Sequence, residues 1–448
     1  MTSNRGPARL TDGRGLVVIR GGRIVDPASG RDEVGDVWME DGRMIERPSD
    51  AREETGGRRP FVIDARGKVV TPGLIDMHVH LREPGREDKE TIQSGARAGS
   101  AGGFTAVACM PNTDPVIDNA EVVHFVLERA RQADIKVYPI GAITKGERGE
   151  QLAEIAEMVD AGIVGISDDG KNVDDPAIMR RALEYAKMFG IPVIPHCEDM
   201  NLSAGGVMNE GVVSTVLGLK GIPNAAEEVI VARDITLTEL TGSRLHIAHV
   251  STAGSVVLIR EAKRRGIAVT AEATPHHFSL TDEAVRTYDT NTKVNPPLRT
   301  ARDVEAIQEG LADGTIDVIA TDHAPHTIDD KAVEYDLAPF GLIGLETALG
   351  LVIARLVQTG TLSLMDAIRK MTVAPARILG LPGGTLEPGA PADVTVFDPD
   401  RQWRVTPDVF LSRSRNSPFY GWTLRGAVEY TIVDGRVSGW AMPGGEKT

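Results

Sequence analysis

His78 and His80 close the apolar run "GLIDMHVH" with one residue between them. In an extended chain, residues two apart share a face at about 6.6 to 6.8 Å of rise, so both imidazoles can reach one cation. That spacing alone is a weak signal, because alternating polar residues occur on many strands. Other apolar runs end the same way: Asn112 follows "FTAVACM", Asp168 and Asp169 follow "GIVGIS", "IPVIPH" ends in His196, "LHIAHV" carries His249 and "DVIATD" ends in Asp322. Imidazoles and carboxylates buried against one another are costly without a partner, and a divalent cation removes that cost. A donor set of nitrogen and oxygen without thiolate suits zinc, with manganese and cobalt as alternatives. Four histidines and two carboxylates exceed the needs of one open site; two metals about 3.5 to 4 Å apart, sharing a bridging carboxylate, would use them all. The bridge falls to Asp168 or Asp169, which sit side by side. Arg82 follows His80 by two residues. Its planar fork can hold a carboxylate bidentately.

These residues need a scaffold that gathers strand ends. From residue 72 onward, eight short apolar runs alternate with amphipathic stretches: "GLIDMHVH", "FTAVACM", "IKVYPIGAI", "GIVGIS", "IPVIPH", "LHIAHV", "IAVTAEA" and "DVIATD". Helices are expected near 119–133, 148–160, 176–189, 225–241, 253–265, 302–312 and 343–358, with a further one at 364–379. Eight such units predict an α/β fold, a (β/α)8 TIM barrel over 72–384, whose C-terminal strand ends converge on one mouth. Residues 16–71 and 385–440 read instead as short strands between Gly, Asp and Pro turns. They are expected to pair into one small β-sheet domain built from both chain ends, after a flexible N-terminus at 1–15.

Among 448 residues, 49 basic and 64 acidic side chains leave a formal charge of −15. That argues against nucleic acid or an anionic membrane as partner, and any anionic substrate must be captured by local positive charge. Cys109 and Cys197 are the only cysteines. A disulfide framework is therefore not expected, and a reducing cytoplasm is the simplest location. No stretch reads as a signal peptide or membrane span.

Taken in order, "DMHVHLREPG", "MPNT", "SDDG", "HCED", "AHVST", "NPPLR", "TDHAPH" and "APFGLIGLET" resemble the amidohydrolase superfamily, and within it dihydroorotases of the bacterial longer-chain type. The likeness runs from about residue 16 to 437. It implies that His78, His80 and Asp322 hold a first metal and that His196 and His249 hold a second, most simply as two Zn2+. Asp169 is the better bridging candidate, keeping the family's interval to "HCED", with Asp168 the alternative. The implied reaction is the reversible cyclisation of N-carbamoyl-L-aspartate to (S)-dihydroorotate and water, the third step of de novo pyrimidine (UMP) synthesis. Metal-activated water is its nucleophile and Asp322 its general base and acid. Arg82 would bind the substrate carboxylate, with His80, Asn112, Asn295, His326 and the Phe340 and Gly341 backbone as further substrate contacts. Relatives form homo-oligomers, and some assemble with aspartate transcarbamoylase.

Two other readings share the scaffold. A hydantoinase, dihydropyrimidinase or allantoinase keeps the histidines but changes the residue at Arg82, and a non-catalytic structural relative loses metal ligands. Remaining polar residues take plainer roles. His246 faces away from the mouth, His276 and His277 are structural, His323 points outward, and His124 and Lys171 lie at the surface. Asp76 is expected to orient an imidazole, and Glu83 has no role.

Overall fold

The computed structural model describes residues 8–48 and 60–440. The protein is mixed α/β. A nine-stranded sheet joins both ends of the chain: Ala8–Arg9, Arg436–Gly439, Thr423–Val433, Val394–Arg404, Val69–Pro72, Leu16–Asp26, Arg31–Glu40 and Arg43–Ile45 lie in that order, with Phe61–Asp64 paired to Leu16–Asp26. Its buried face is aliphatic, with Val17, Ile19, Ile24, Met39, Val70, Val394 and Ile432 in one cluster. Of the first 15 residues, 1–7 lie outside the described part. Ala8–Arg9 pairs with Gly439 and Ser438, and Leu10 N donates to Val437 O, so the described part is tethered to the sheet.

Val69–Pro72 runs through Gly73 directly into the strand Leu74–Val79. A Cβ at Gly73 would stand 2.1 Å from Thr105 Oγ1, so only glycine lets the chain pass. Leu74–Val79 opens a series of parallel pairings. It pairs with Phe104–Cys109, which pairs with Lys136–Pro139; Gly141–Ala142 continues to Ile166–Ser167, then Val193, Leu245–Ile247, Val269–Ala273 and Val318–Ile319. His323 pairs back with Val79, returning the series to its first strand.

Several of these segments are shorter than their apolar runs, and two of them show why. "IPVIPH" pairs only at Val193, because Pro192 and Pro195 on either side offer no N–H to a ladder. "DVIATD" keeps strand geometry only at Val318–Ile319, and Asp322 stands at φ 48. Helices between strands carry ordinary end signals. Pro176–Phe189 has the Asp175 carboxylate accepting from Ala177 N, proline at its first turn and Gly190 at φ +69 as its stop. Ile178, Met179, Ala182, Leu183 and Ala186 form its buried face. The helix expected at 148–160 begins only at Ile155, because Thr144 pairs with Leu152 and holds the preceding chain extended.

Inside the series of strands, Met77, Ala108, Met110, Ile140, Ile194, Ala248, Val318 and Ala320 pack together. Above this plug the strand ends become polar. Among the described residues, no helix is long and apolar enough to cross a membrane.

Candidate active site and metal centre

The polar strand ends meet in two overlapping groups. His78, His80 and Asp322 form one, and His78, Asp169 and His249 the other, each with its ligand atoms within 4.8 Å of one another. His80 Nε2 lies 3.1 Å from Asp322 Oδ1 and 3.3 Å from Asp169 Oδ2. His78 Nε2 and His249 Nε2 each lie 3.4 Å from Asp169 Oδ1. His196 Nδ1 is 3.0 Å from His249 Nε2 and 3.9 Å from Asp169 Oδ1. His78 Nε2 and Asp169 Oδ1 are buried without a hydrogen-bond partner. A pair of such atoms facing each other costs several kcal/mol on the order of desolvation penalties, unless a cation takes both. Burial alone would raise the Asp169 carboxyl, but His78, His249 and His80 around it hold it well below the usual carboxylate range. The donor set and its unmet valences fit divalent metal.

Backbone conformation is strained at this rim: Arg82, His249 and Asp322 have φ of 62°, 29° and 48°. Beyond the histidines, a cavity of about 320 Å³ is lined by His80, Arg82, Asn112, Asp169, His196, Asn295, Asp322, His326, Phe340 and Gly341, among others. Arg82 lies on its wall. Burial lowers the Arg82 guanidinium to about 10 despite Asp322 and Asp169 nearby. Its closest polar contacts are neutral: Nε donates to Pro325 O at 3.2 Å, and a terminal nitrogen lies 3.5 Å from His326 Nε2. Asn295 Nδ2 donates to Glu198 Oε2 at 2.7 Å, and the same oxygen is 2.7 Å from His196 Nε2. Asn112 Oδ1 is 2.8 Å from His80 Nδ1.

A family model described as dihydro-orotase-like matches residues 67–255, and one described as the amidohydrolase family matches 231–438. The dihydroorotase of Pelotomaculum thermopropionicum is 62% identical over 421 residues, covering 94% of this chain and 98% of that relative. The chain belongs to the dihydroorotase family. A second dihydroorotase, from Syntrophotalea carbinolica, is 57% identical with the same coverage. Among solved structures, the L-hydantoinase (dihydropyrimidinase) of Arthrobacter aurescens aligns with a TM-score of 0.83 at 26% identity, covering 94% of this chain and 95% of that one. A D-hydantoinase (dihydropyrimidinase) from Thermus sp. aligns at 0.81 with 25% identity, covering 94% of each chain.

In this member of the dihydroorotase family, several supporting residues differ from the sequence reading. Asp76 orients no imidazole: its carboxylate accepts from the backbone N–H of His78 and Thr321, each at 3.1 Å. The strand register shifts between Asp76 and Val79, which breaks the two-residue alternation that would have put Asp76 beside His78. The imidazole partner is Glu272, missed in the sequence. His78 Nδ1 donates to Glu272 Oε1 at 2.6 Å, His246 Nε2 lies 3.2 Å from Oε2, and His249 N donates to Oε1 at 3.2 Å. A lone carboxylate in "IAVTAEA" was its only signal. Asp168 turns away, accepting from Ile143 N, Thr144 N and the Thr144 hydroxyl. His277 is 2.9 Å from Pro296 O, while His276 is buried with both ring nitrogens unpartnered. His323 is buried, with Nδ1 accepting from Gly344 N. His124 and Lys171 are exposed. Glu83 has a role after all: its carboxylate accepts from Ile92 N at the start of the helix Ile92–Ala101 and pairs with Arg129.

Proposed function

We propose that this chain works as a dihydroorotase, interconverting N-carbamoyl-L-aspartate and (S)-dihydroorotate. The carrying observation is Arg82, a half-buried guanidinium with only neutral hydrogen-bonding neighbours on the wall of a cavity whose floor is the histidine and aspartate cluster. Dihydroorotate brings a carboxylate to such a site, whereas hydantoin and dihydrouracil rings do not. The closed series of parallel pairings supports a (β/α)8 barrel over 72–384, and the sheet shared by both chain ends supports a small β domain from 16–71 and 385–440.

His78, His80, Asp169, His196, His249 and Asp322 would hold two divalent ions, with Asp169 as the shared ligand. When bound, they polarise the substrate carbonyl and lower the pKa of water. In ring opening, Asp322 accepts the proton released as water oxygen adds to the cyclic amide carbon. It returns that proton to the ring nitrogen as the C–N bond breaks, and cyclisation reverses both transfers. Arg82 clamps the carboxylate, and Asn112, Asn295, His326 and the Phe340–Gly341 backbone orient the ring. A cytoplasmic homo-oligomer, able to associate with aspartate transcarbamoylase, is proposed on the resemblance alone.

The test is a metal-reconstituted assay with dihydroorotate, dihydrouracil, hydantoin and allantoin, with metal content measured on the same sample. Turnover of dihydroorotate is expected, with Arg82→Ala raising KM at least thirtyfold, since truncating one side of a buried charged pair costs about 2 to 5 kcal/mol. Undiminished dihydroorotate turnover in that variant, or preference for hydantoin in the parent, would overturn the assignment.

A further inference from the structure

We infer that Lys89 is a positioning residue: it fixes the tautomer of His326 and so leaves Arg82 free for an anionic group of the substrate. The inference deepens the proposed function and rests on it only for the identity of the anion. Lys89 Nζ is buried, 3.1 Å from His326 Nδ1 and 3.0 Å from Asp330 Oδ2, which keeps it paired as an ammonium. An ammonium has donors and no acceptor, so at this contact His326 Nδ1 must accept. A neutral imidazole then carries its single proton on Nε2.

That proton has a defined destination. His326 Nε2 lies 2.7 Å from Phe340 O, to which it donates. The loop it holds is fixed from the other side as well, because Asn416 Nδ2 donates to Ala324 O and Gly341 O while Asn416 Oδ1 accepts from His326 N. Gly341, at φ +129, has no room for a side chain: a Cβ there would stand 2.7 Å from the Ala324 Cβ. Burial and the cations Arg82, Lys331 and Lys89 push His326 down to about 2, consistent with a ring that stays neutral.

The consequence falls on Arg82. With hydrogen on Nε2, the 3.5 Å approach of the Arg82 terminal nitrogen to Nε2 sets donor against donor and is not a hydrogen bond. Among the described residues, Pro325 O is then the sole acceptor for this guanidinium. In the opposite tautomer, Nε2 would accept from Arg82, release Phe340 O and compete with substrate for the same N–H.

The experiment is long-range 1H–15N correlation spectroscopy on the 15N-histidine-labelled, zinc-loaded, substrate-free protein. A His326→Asn sample identifies the His326 signals. The parent should show the Nε2–H pattern between pH 6 and 9; an Nδ1–H pattern in the parent overturns the inference without any Lys89 variant. Lys89→Met should lose the Nε2–H pattern and raise KM for dihydroorotate about tenfold, with kcat changed less than threefold. Lys89→Arg, which keeps donors, should restore the pattern and most of the KM. Retention of the Nε2–H pattern and of KM in Lys89→Met overturns the proposal. A changed pattern with unchanged KM overturns its Arg82 part. If Lys89→Met fails to fold, the parent and Lys89→Arg spectra decide. Absence of dihydroorotate turnover in the parent would fail the proposed function while leaving the tautomer result standing.

Discussion

Replacing Glu272 by glutamine changes one charge and almost no volume at the centre of the metal-binding layer. Glu272 is fully buried and receives hydrogen bonds from His78 Nδ1, His246 Nε2 and the backbone N–H of His249. Both three-residue groups able to hold a metal contain His78, so one carboxylate sets the orientation and basicity of the imidazole they share. A glutamine oxygen can still accept from His78, but loses the charge that makes such a bond roughly twice as strong. Supporting partners of this kind are worth about 10- to 100-fold in metal affinity, and retention of shape puts Glu272→Gln near the lower figure. Glu272→Ala removes the acceptor outright and strands three buried donors, at about 1 to 3 kcal/mol each before relaxation. Zinc affinity should therefore fall about tenfold in Glu272→Gln and about a hundredfold in Glu272→Ala, the latter also unfolding at lower denaturant. The assay is competition with a chromophoric chelator, alongside urea unfolding of the metal-free proteins. Zinc binding by Glu272→Gln within twofold of the parent would refute the reasoning, and its target would be the assigned hydrogen bond from His78.

Three further outcomes are expected. His78→Ala should lose both ions by elemental analysis, because both groups depend on that imidazole, whereas His196→Ala should retain one. Burial raises the Glu346 carboxyl to about 8, with Leu411 N and Ser412 N donating to it. The folded state thus takes up a proton between about pH 4.5 and 8, so this group's contribution to stability falls as pH rises through that window. Glu346→Gln turns its amide NH2 toward one of these two donors but removes the pH-dependent contribution, so its unfolding midpoint relative to the parent should rise from pH 5 to pH 8.5, as differential scanning fluorimetry would show. Gly73→Ala should destabilise the protein by about 1 to 3 kcal/mol or more, since its methyl would overlap the Thr105 side chain; an unchanged urea midpoint would refute that clash.

Residues gathered by their position at a strand end were legible in the sequence, since strand ends can be counted from apolar runs alone. His78, His80, His196, His249 and Asp322 follow that logic, and the structure brings them within a few ångströms. Residues whose role depends on pairing between distant segments were not. Glu272 reaches His78 across 194 residues of sequence, and nothing in "IAVTAEA" says which strand lies opposite. Asp76 misled because a register shift is invisible in an alternating pattern. The choice of Asp168 or Asp169 rests on backbone donors at Ile143 and Thr144, which Asp168 takes. The brevity of "IPVIPH" was readable in principle from its two prolines.

The strand that carries His78, and is followed at once by His80, is a direct continuation of Val69–Pro72, whose antiparallel neighbour is Val394–Arg404. Leu74 N itself donates to Thr395 Oγ1, 321 residues further along the chain. During synthesis, then, the first ligand strand leaves the ribosome early and waits for almost the whole polypeptide before its root is clamped. Chains interrupted between residues 323 and 393 should carry all six candidate ligands and still fail to retain added divalent metal, and the nascent protein should depend on chaperones until its last strands emerge.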